Sequence, residues 1–330
     1  MALILSSDDL EHCLDMKTAI DAMRLAFSAL GTSEAQAPQR QAIPLAEQGL
    51  ALLMPSLLQT EQDHSFGLKI ITVMPHNPLR NLPRLSATVL LLDATTGRTL
   101  AIMEGNWLTA MRTGAVSGLA THLLALQDAN TLALFGAGKQ APAQVLAIHH
   151  VRPLREVRVV NRSDEHYFQL VTKLQTMLSP NCPLIRRATS SGEALAGASL
   201  VACATASTQP LFSWNEVEAG THINAIGAFT PEMCEVDAET LAHARIVIDQ
   251  REAALAEAGD LLQALAAGLI AGPETWIELG DLLRGTQTGR RTKDEVTFFK
   301  SVGVAVQDVA TAFYVYRKAR ELGIGIEVEV

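Results

Sequence analysis

Apolar residues recur first at helical spacing and then in short uninterrupted runs, and this change of rhythm divides the chain. Met16, Ile20, Met23, Phe27 and Leu30 fall three or four residues apart. With the Ser7-Asp-Asp-Leu start before them, they predict helices that close at Gly31. A polar loop is expected from Ala35 to Pro44, carrying Gln39-Arg40-Gln41. Between Ala42 and Met103 the rhythm shortens to Leu50-Ala-Leu-Leu-Met54, Gly67-Leu-Lys-Ile-Ile-Thr-Val73, Ala87-Thr-Val-Leu-Leu-Leu92 and Thr99-Leu-Ala-Ile-Met103. The turn residues of Pro75-His-Asn-Pro78 and Asp93-Ala-Thr-Thr-Gly97 separate these runs, which predicts a β-rich, antiparallel segment. A helix over 107–126 leads out of it.

Beyond this helix, strands and helices alternate. Thr131-Leu-Ala-Leu-Phe135 reads as a buried strand and Glu156-Val-Arg-Val-Val160 as a second. A helix over 165–178 follows, then apolar runs at 198–204, 222–226, 246–248 and 276–279. Such alternation implies a doubly wound parallel sheet of the Rossmann type. The Ala-rich stretch from Arg251 to Gly268 predicts one helix packed by small residues. Val306, Val309, Ala310, Phe313, Val315, Tyr316 and Ala319 predict an amphipathic helix over 304–322 that returns to the first domain. The expected fold is therefore α/β. Residues 125–302 form a Rossmann dinucleotide-binding domain, and 1–124 with 303–330 form an α+β domain.

The 330 residues are 48% apolar and 18% charged, as in a globular protein. No apolar run reaches the ~18 residues of a membrane span. The N-terminus lacks the basic start and long apolar centre of a signal peptide. Cys13, Cys182, Cys203 and Cys234 are scattered without ligand spacing, which suits reduced thiols in the cytoplasm and no metal. The net charge of −9 argues against nucleic acid or an anionic membrane as a partner. Any anionic substrate then needs a local basic pocket.

The turn after the first parallel strand is Gly136-Ala-Gly138-Lys-Gln-Ala141. Gly136 suits an unusual backbone conformation, Gly138 lets a diphosphate approach the main chain, and Ala141 permits close strand–helix packing. The N–H groups and positive pole of the next helix would hold the diphosphate. The second strand ends in Asn161-Arg162-Ser163, about 20 residues on, where the ribose is read. With no acid there and one guanidinium, a dinucleotide carrying a 2′-phosphate is expected: NADPH preferred, NADH possible. Three cations also stand out. Lys69 interrupts an apolar strand, where it either snorkels to solvent or serves a site. Arg112 lies among small apolar residues and can clamp a carboxylate through paired hydrogen bonds. Arg40 sits in the polar loop. Together they suit an anion the size of an amino acid.

Lys69, Pro75-x-Asn77, Thr96-Gly97, Thr109-x-x-Arg112-Thr113, Gly136-x-Gly138-x-Gln140-Ala141, Gly220-x-His222-Ile-Asn-Ala-Ile-Gly227 and Ser301-Val-Gly303 occur in this order. In this the chain resembles the ornithine cyclodeaminase/μ-crystallin family over almost its whole length. The resemblance implies a homodimer whose first domain binds substrate and forms the subunit contact, with a nicotinamide cofactor on the second. Arg40, Lys69 and Arg112 match ligands of the substrate carboxylate, and Met54 matches a residue lining the substrate pocket. Arg112, Thr113, Gly136, Ala137, Gly138, Lys139, Gln140, Asn161, Arg162, Ser163, Ala204, Thr205, Gly227 and Ser301 match cofactor-binding positions. Lys69 is the catalytic candidate, either sharing the carboxylate or supplying a proton to the imine.

One position departs from the cyclodeaminases. They carry an aspartate two residues after the glycine matching Gly227, and this chain has Phe229 there. Phenylalanine cannot bind an ammonium by charge or relay a proton, but it can pack against an aliphatic ring. Gly227-Ala-Phe-Thr-Pro231 resembles members that reduce Δ1-pyrroline-2-carboxylate and Δ1-piperideine-2-carboxylate, with Phe229 and Thr230 in the substrate site. The expected activity is thus reduction of a cyclic imino acid. An ornithine cyclodeaminase, an alanine-type amino-acid dehydrogenase and a non-catalytic binding protein are the rivals.

Overall fold

The computed structural model describes residues 1–61 and 64–329. The chain forms two compact units: Met1–Arg112 with Val304–Val330, and Thr113–Gly303. The division falls within one long helix, Gly105–Leu124. Among the described residues no helix is long and apolar enough to cross a membrane.

In the first unit, the runs read as strands pair in sequence order. Leu50–Gln59, His64–Val73, Leu85–Asp93 and Thr99–Glu104 form an antiparallel meander. The sheet also recruits both ends of the chain: Ala2–Leu5 lies parallel to Thr99–Glu104 and antiparallel to Ile326–Val328. Side chains alternate along each strand, so Met54, Lys69 and Val89, in one cross-strand row, share a face. Helix Ala305–Leu322 packs against the strands of this meander and against helix Met16–Ala29. Gly67 permits the approach, because a Cβ there would meet the side chain of Val309 at 2.7 Å. The capping follows the sequence: Asp15 accepts from Thr18 N at 2.7 Å and begins helix Met16–Ala29.

The polar loop expected at Ala35–Pro44 is in part strand. Ala35–Gln36 and Gln41–Pro44 both pair antiparallel with Leu50–Gln59. Every residue of Gln41–Pro44 is exposed, so backbone pairing, which leaves no apolar alternation, makes this strand.

The second unit holds an eight-stranded sheet that is parallel throughout. Counted along the chain from Thr131–Phe135, its strands lie in the order third, second, first, fourth, fifth, eighth, sixth, seventh. The order reverses between Thr131–Phe135 and Leu200–Cys203, and the crevice outside such a switch point is where open α/β sheets bind ligands. Two strands were not legible as apolar runs. Leu184–Arg187 is a largely exposed edge, and Val296–Lys300 is fully buried but ends in a lysine. The single helix expected over Arg251–Gly268 is two helices, Arg251–Glu257 and Gly259–Ala266. Ala258 leaves helical geometry between them. Gly259 meets the carbonyls of Thr230, Pro231 and Met233 with no room for a Cβ.

Candidate active site

Lys69 and Arg112 are both buried in the first unit, and one residue joins them. Lys69 Nζ lies 2.6 Å from Oδ2 of Asp308, and Arg112 Nε donates to Oδ1 of the same carboxylate at 3.0 Å. Arg112 Nη1 donates to Gln307 Oε1 at 3.0 Å, and that oxygen also accepts from Val304 N at 2.8 Å. The turn that starts helix Ala305–Leu322 therefore fixes the guanidinium plane. Arg112 Nη2 has no partner among the described residues. The Lys69 ammonium pairs with Asp308 and has no other partner among the described residues, so it keeps donors to spare. Burial, then the nearby Arg112 charge, pulls the pKa of Lys69 down from 10.5 to about 7, against the opposing pull of Asp308. Arg40, partly buried, lowers it further by its own charge. Met54, 2% exposed, stands directly across from Lys69 on the neighbouring strand.

Asp308 and Gln307 were missed in the sequence. The signal was there: both stand at buried positions of an amphipathic helix, where a carboxylate or amide needs a partner. Two cations share one buried anion here, so the cluster carries an uncompensated positive charge while Lys69 is protonated.

In the second unit, the crevice at the switch point is a cavity of about 960 Å³. Its walls include Gly136, Ala137, Gly138, Asn161, Arg162 and Thr205, all of them candidates from the sequence, and Ala204 as well. Gly136 has φ 97°, and a Cβ on it would meet Ala204 O, so the position needs glycine. Beside Gly138 a Cβ would meet nothing within 4 Å, which leaves the main chain open to a ligand. Helix Ala141–Val151 begins just past this turn and Ala141 is fully buried under it. These features fit a dinucleotide diphosphate. Asn161 ties the turn to the second strand, Oδ1 accepting from Ala137 N at 3.3 Å and Nδ2 donating to Ser163 O at 2.7 Å.

Arg162 is exposed and has no ion-pair or hydrogen-bond partner among the described residues. Arg187 and His166 also line the cavity, and among the described residues no acidic residue does. Arg187 is occupied by Asp164 and by the carbonyl of Asn161 at 3.0 Å. It went unseen in the sequence because its strand is an exposed edge.

The other candidates lie elsewhere in this unit. Lys139 is exposed, and Gln140 caps the helix through its backbone. Ser163 caps the next helix, accepting from His166 N at 3.2 Å. Thr113 O accepts from Gln144 Nε2 at 3.1 Å. Ser301 Oγ donates to the buried Asp249 at 3.0 Å. Gly227 packs behind Thr205, Phe229 is 45% exposed, and Thr230 is partly buried. Among the described residues no group of three His, Cys, Asp or Glu stands close enough to hold a metal ion.

The chain is similar along its length to proteins of known activity. It is 36% identical over 329 residues to the Δ1-pyrroline-2-carboxylate reductase of Bacillus cereus, 99% of each chain being covered. The Δ1-pyrroline-2-carboxylate reductase of Thermococcus litoralis, solved with NADH and L-proline, superposes with a TM-score of 0.91 at 34% identity. There 99% of this chain and 100% of that one are covered. An archaeal alanine dehydrogenase dimer with bound NAD gives 0.90 at 31% identity, with 99% of both chains covered. The family model of the ornithine cyclodeaminase/mu-crystallin proteins matches residues 1–323, and the chain belongs to that family.

Proposed function

We propose that this chain reduces a cyclic imino acid, Δ1-pyrroline-2-carboxylate to proline and Δ1-piperideine-2-carboxylate to pipecolate, with NADPH as the preferred reductant. The observation that carries the reading is the buried pair Lys69 and Arg112 sharing the single carboxylate of Asp308. A substrate carboxylate supplies the second anion. Arg112 takes it through the free edge of its guanidinium, with Lys69 and Arg40 adding charge. Met54 closes the pocket beside Lys69. The similar reductases act on this substrate class, and Phe229 stands where a cyclodeaminase needs an acid.

A protonated ring imine is already a strong hydride acceptor, so the protein has to place it and keep its charge. Lys69, at a pKa of about 7, holds a proton that it can give to the imine nitrogen or keep while binding the carboxylate. The family resemblance gives Phe229 the role of packing on the substrate's methylenes and the Thr230 hydroxyl that of serving its nitrogen. The turn of Gly136 and Gly138 would hold the diphosphate of a reduced nicotinamide dinucleotide, which when bound would supply the hydride. Asn161, Arg162 and Ser163 receive the ribose. Arg162, with no partner and no acid lining the cavity among the described residues, favours a 2′-phosphate over a bare ribose.

The first unit also supports a homodimer. The sheet face opposite Met54 and Lys69 carries Leu53, Leu57, Phe66, Leu68, Ile70 and Leu90, with Phe66 39% and Ile70 37% exposed. A second copy covering this face would bury an apolar surface of the kind two-fold interfaces use.

The test is a parallel assay of purified chain with pyrroline carboxylate, piperideine carboxylate, pyruvate plus ammonia, and ornithine. NADPH-dependent formation of proline and pipecolate without ammonia from ornithine is expected. Ammonia from ornithine and no imine reduction would return the function to cyclodeamination. In the same assay Arg162→Ala is expected to weaken NADPH about ten- to a hundred-fold and to leave NADH nearly unchanged. Equal loss with both would remove the 2′-phosphate role.

A further inference from the structure

Glu235 is completely buried in the second unit, yet among the described residues no cation lies within bonding distance of it. Its Oε1 accepts from Thr205 N at 2.6 Å and from Thr205 Oγ1 at 2.8 Å. Its Oε2 accepts from Gly227 N at 2.7 Å and from Ala228 N at 3.0 Å. Thr205 follows the strand Leu200–Cys203, and Gly227 and Ala228 follow its parallel neighbour His222–Ala225. One side chain thus ties together the turns at the ends of two adjacent strands. Glu235 is itself held from behind. Its own N–H and that of Val236 donate to Asp260 Oδ1, at 2.6 and 3.0 Å, and Asp260 Oδ2 pairs with the buried Lys300 at 2.6 Å.

The joint leaves no slack. A Cβ at Gly227 would meet the main chain of Thr205 and Oε1 of Glu235, and one at Gly136 would meet Ala204 O. The carboxylate therefore sets the position of Ala204 and Thr205, which form one wall of the cavity lined by the Gly136–Gly138 turn. Burial pushes the Glu235 pKa up, with Lys300 opposing. Four hydrogen-bond donors offset the cost of placing this acid out of water.

We infer that Glu235 is a positioning residue for the dinucleotide, acting through the Thr205 and Gly227–Ala228 turns and touching no ligand itself. The inference rests on the cofactor reading above. Because the turns serve parts of the dinucleotide common to both forms, the role differs from that of Arg162, which reads the 2′-phosphate alone.

Glu235→Gln keeps the shape of the side chain but turns one acceptor into a donor, so one of the two turns faces an N–H with no partner. Binding of NADPH and of NADH to the full chain is followed by nucleotide fluorescence. Amide exchange at Thr205, Gly227 and Ala228 is read in the free protein. The variant is expected to unfold cooperatively, to lose about tenfold in affinity for both nucleotides by the same factor, and to exchange faster at one of the turns. Faster exchange at wild-type affinity would overturn the inference, as would unchanged exchange. Should the glutamine chain fail to fold, Glu235→Asp is measured in the same way. It keeps the charge but is one methylene too short to hold both turns, and wild-type affinity with a freed turn would again overturn the role. A wild-type chain that binds neither nucleotide would remove the cofactor reading and this inference with it.

Discussion

Asp308 in the first unit and Glu235 in the second are both shut away from water, and they are satisfied by opposite means. Among the described residues Asp308 meets two cations and accepts from no backbone N–H. Glu235 accepts from three backbone N–H groups and a hydroxyl and meets no cation. A carboxylate among cations sets charge: it offsets one of two positive side chains and leaves the other to attract a substrate anion. A carboxylate among backbone dipoles sets shape: it fixes where the main chain runs and leaves the ligand to other groups. The two halves of the proposed reaction thus depend on buried acids for different reasons, and substitutions that remove the charge but keep the shape separate them.

The largest effect is expected at Asp308. Asp308→Asn leaves Lys69 and Arg112 buried without their anion, and breaking a buried pair from one side costs about 3–5 kcal/mol. Denaturant unfolding measures it, and pH tells the source. The folded value of Lys69, about 7, lies below its ordinary 10.5, so the ammonium is lost from the folded protein well before it is lost from the unfolded chain. In the variant, without Asp308, that value falls further: below about pH 7 the cluster either strands both cations or gives up the Lys69 proton that the wild-type protein keeps, whereas above it only Arg112 is stranded in either case. The loss of stability is therefore larger at about pH 6 than at about pH 9. A loss of equal size at both would show that charge is not what Asp308 manages. Glu235→Gln, by contrast, changes no ion pair, and its effect is read in the nucleotide.

A second effect of intermediate size concerns rate. If the Lys69 ammonium is needed, kcat/KM for the imine falls about tenfold per pH unit above about 7. Asp308 holds that value up, so in Asp308→Asn the falling limb moves to lower pH. The imine's own titration is common to both proteins and cancels in the comparison. A fall carried in kcat marks Lys69 as the proton donor, and a rise in KM marks it as a carboxylate ligand. An identical limb in both proteins would break the link between Asp308 and the reaction.

The same contrast explains what the sequence allowed to be read. Lys69 and Arg112 were visible because a cation inside an apolar run is anomalous by its own neighbours. Gly136 and Gly138 were visible because a tight turn between strand and helix has its own spelling. The meander and the parallel sheet followed from runs of apolar residues between turns. Gln41–Pro44 did not, because edge pairing needs no buried face. The break at Ala258 could not be read either: helix formers occupy both sides, and the cause is the crowding of Gly259 against distant carbonyls. Asp308 and Glu235 act through partners 239 and 30 residues away at the farthest, Lys69 and Thr205. Periodicity marks such positions as buried but cannot name the partner.

The smallest effect is expected at Phe229, which belongs to neither carboxylate and so measures the apolar share of recognition. Its ring is 45% exposed on the second unit, an aromatic surface available to a ligand. A five-membered imino acid offers three methylenes and a six-membered one offers four. A single wall covers about half of each, so at ~0.8 kcal/mol per buried methylene the contact contributes on the order of 1 kcal/mol. Phe229→Ala is therefore expected to raise KM about fivefold for Δ1-pyrroline-2-carboxylate with kcat little changed, because a uniform apolar contact favours ground state and transition state alike. For Δ1-piperideine-2-carboxylate the added half-methylene makes the rise about twofold larger. Steady-state kinetics on both rings gives the ratio. A fall in kcat instead, equal for the two rings, would place Phe229 in orienting the reacting atoms, and a variant with unchanged KM for both would take it out of the substrate site.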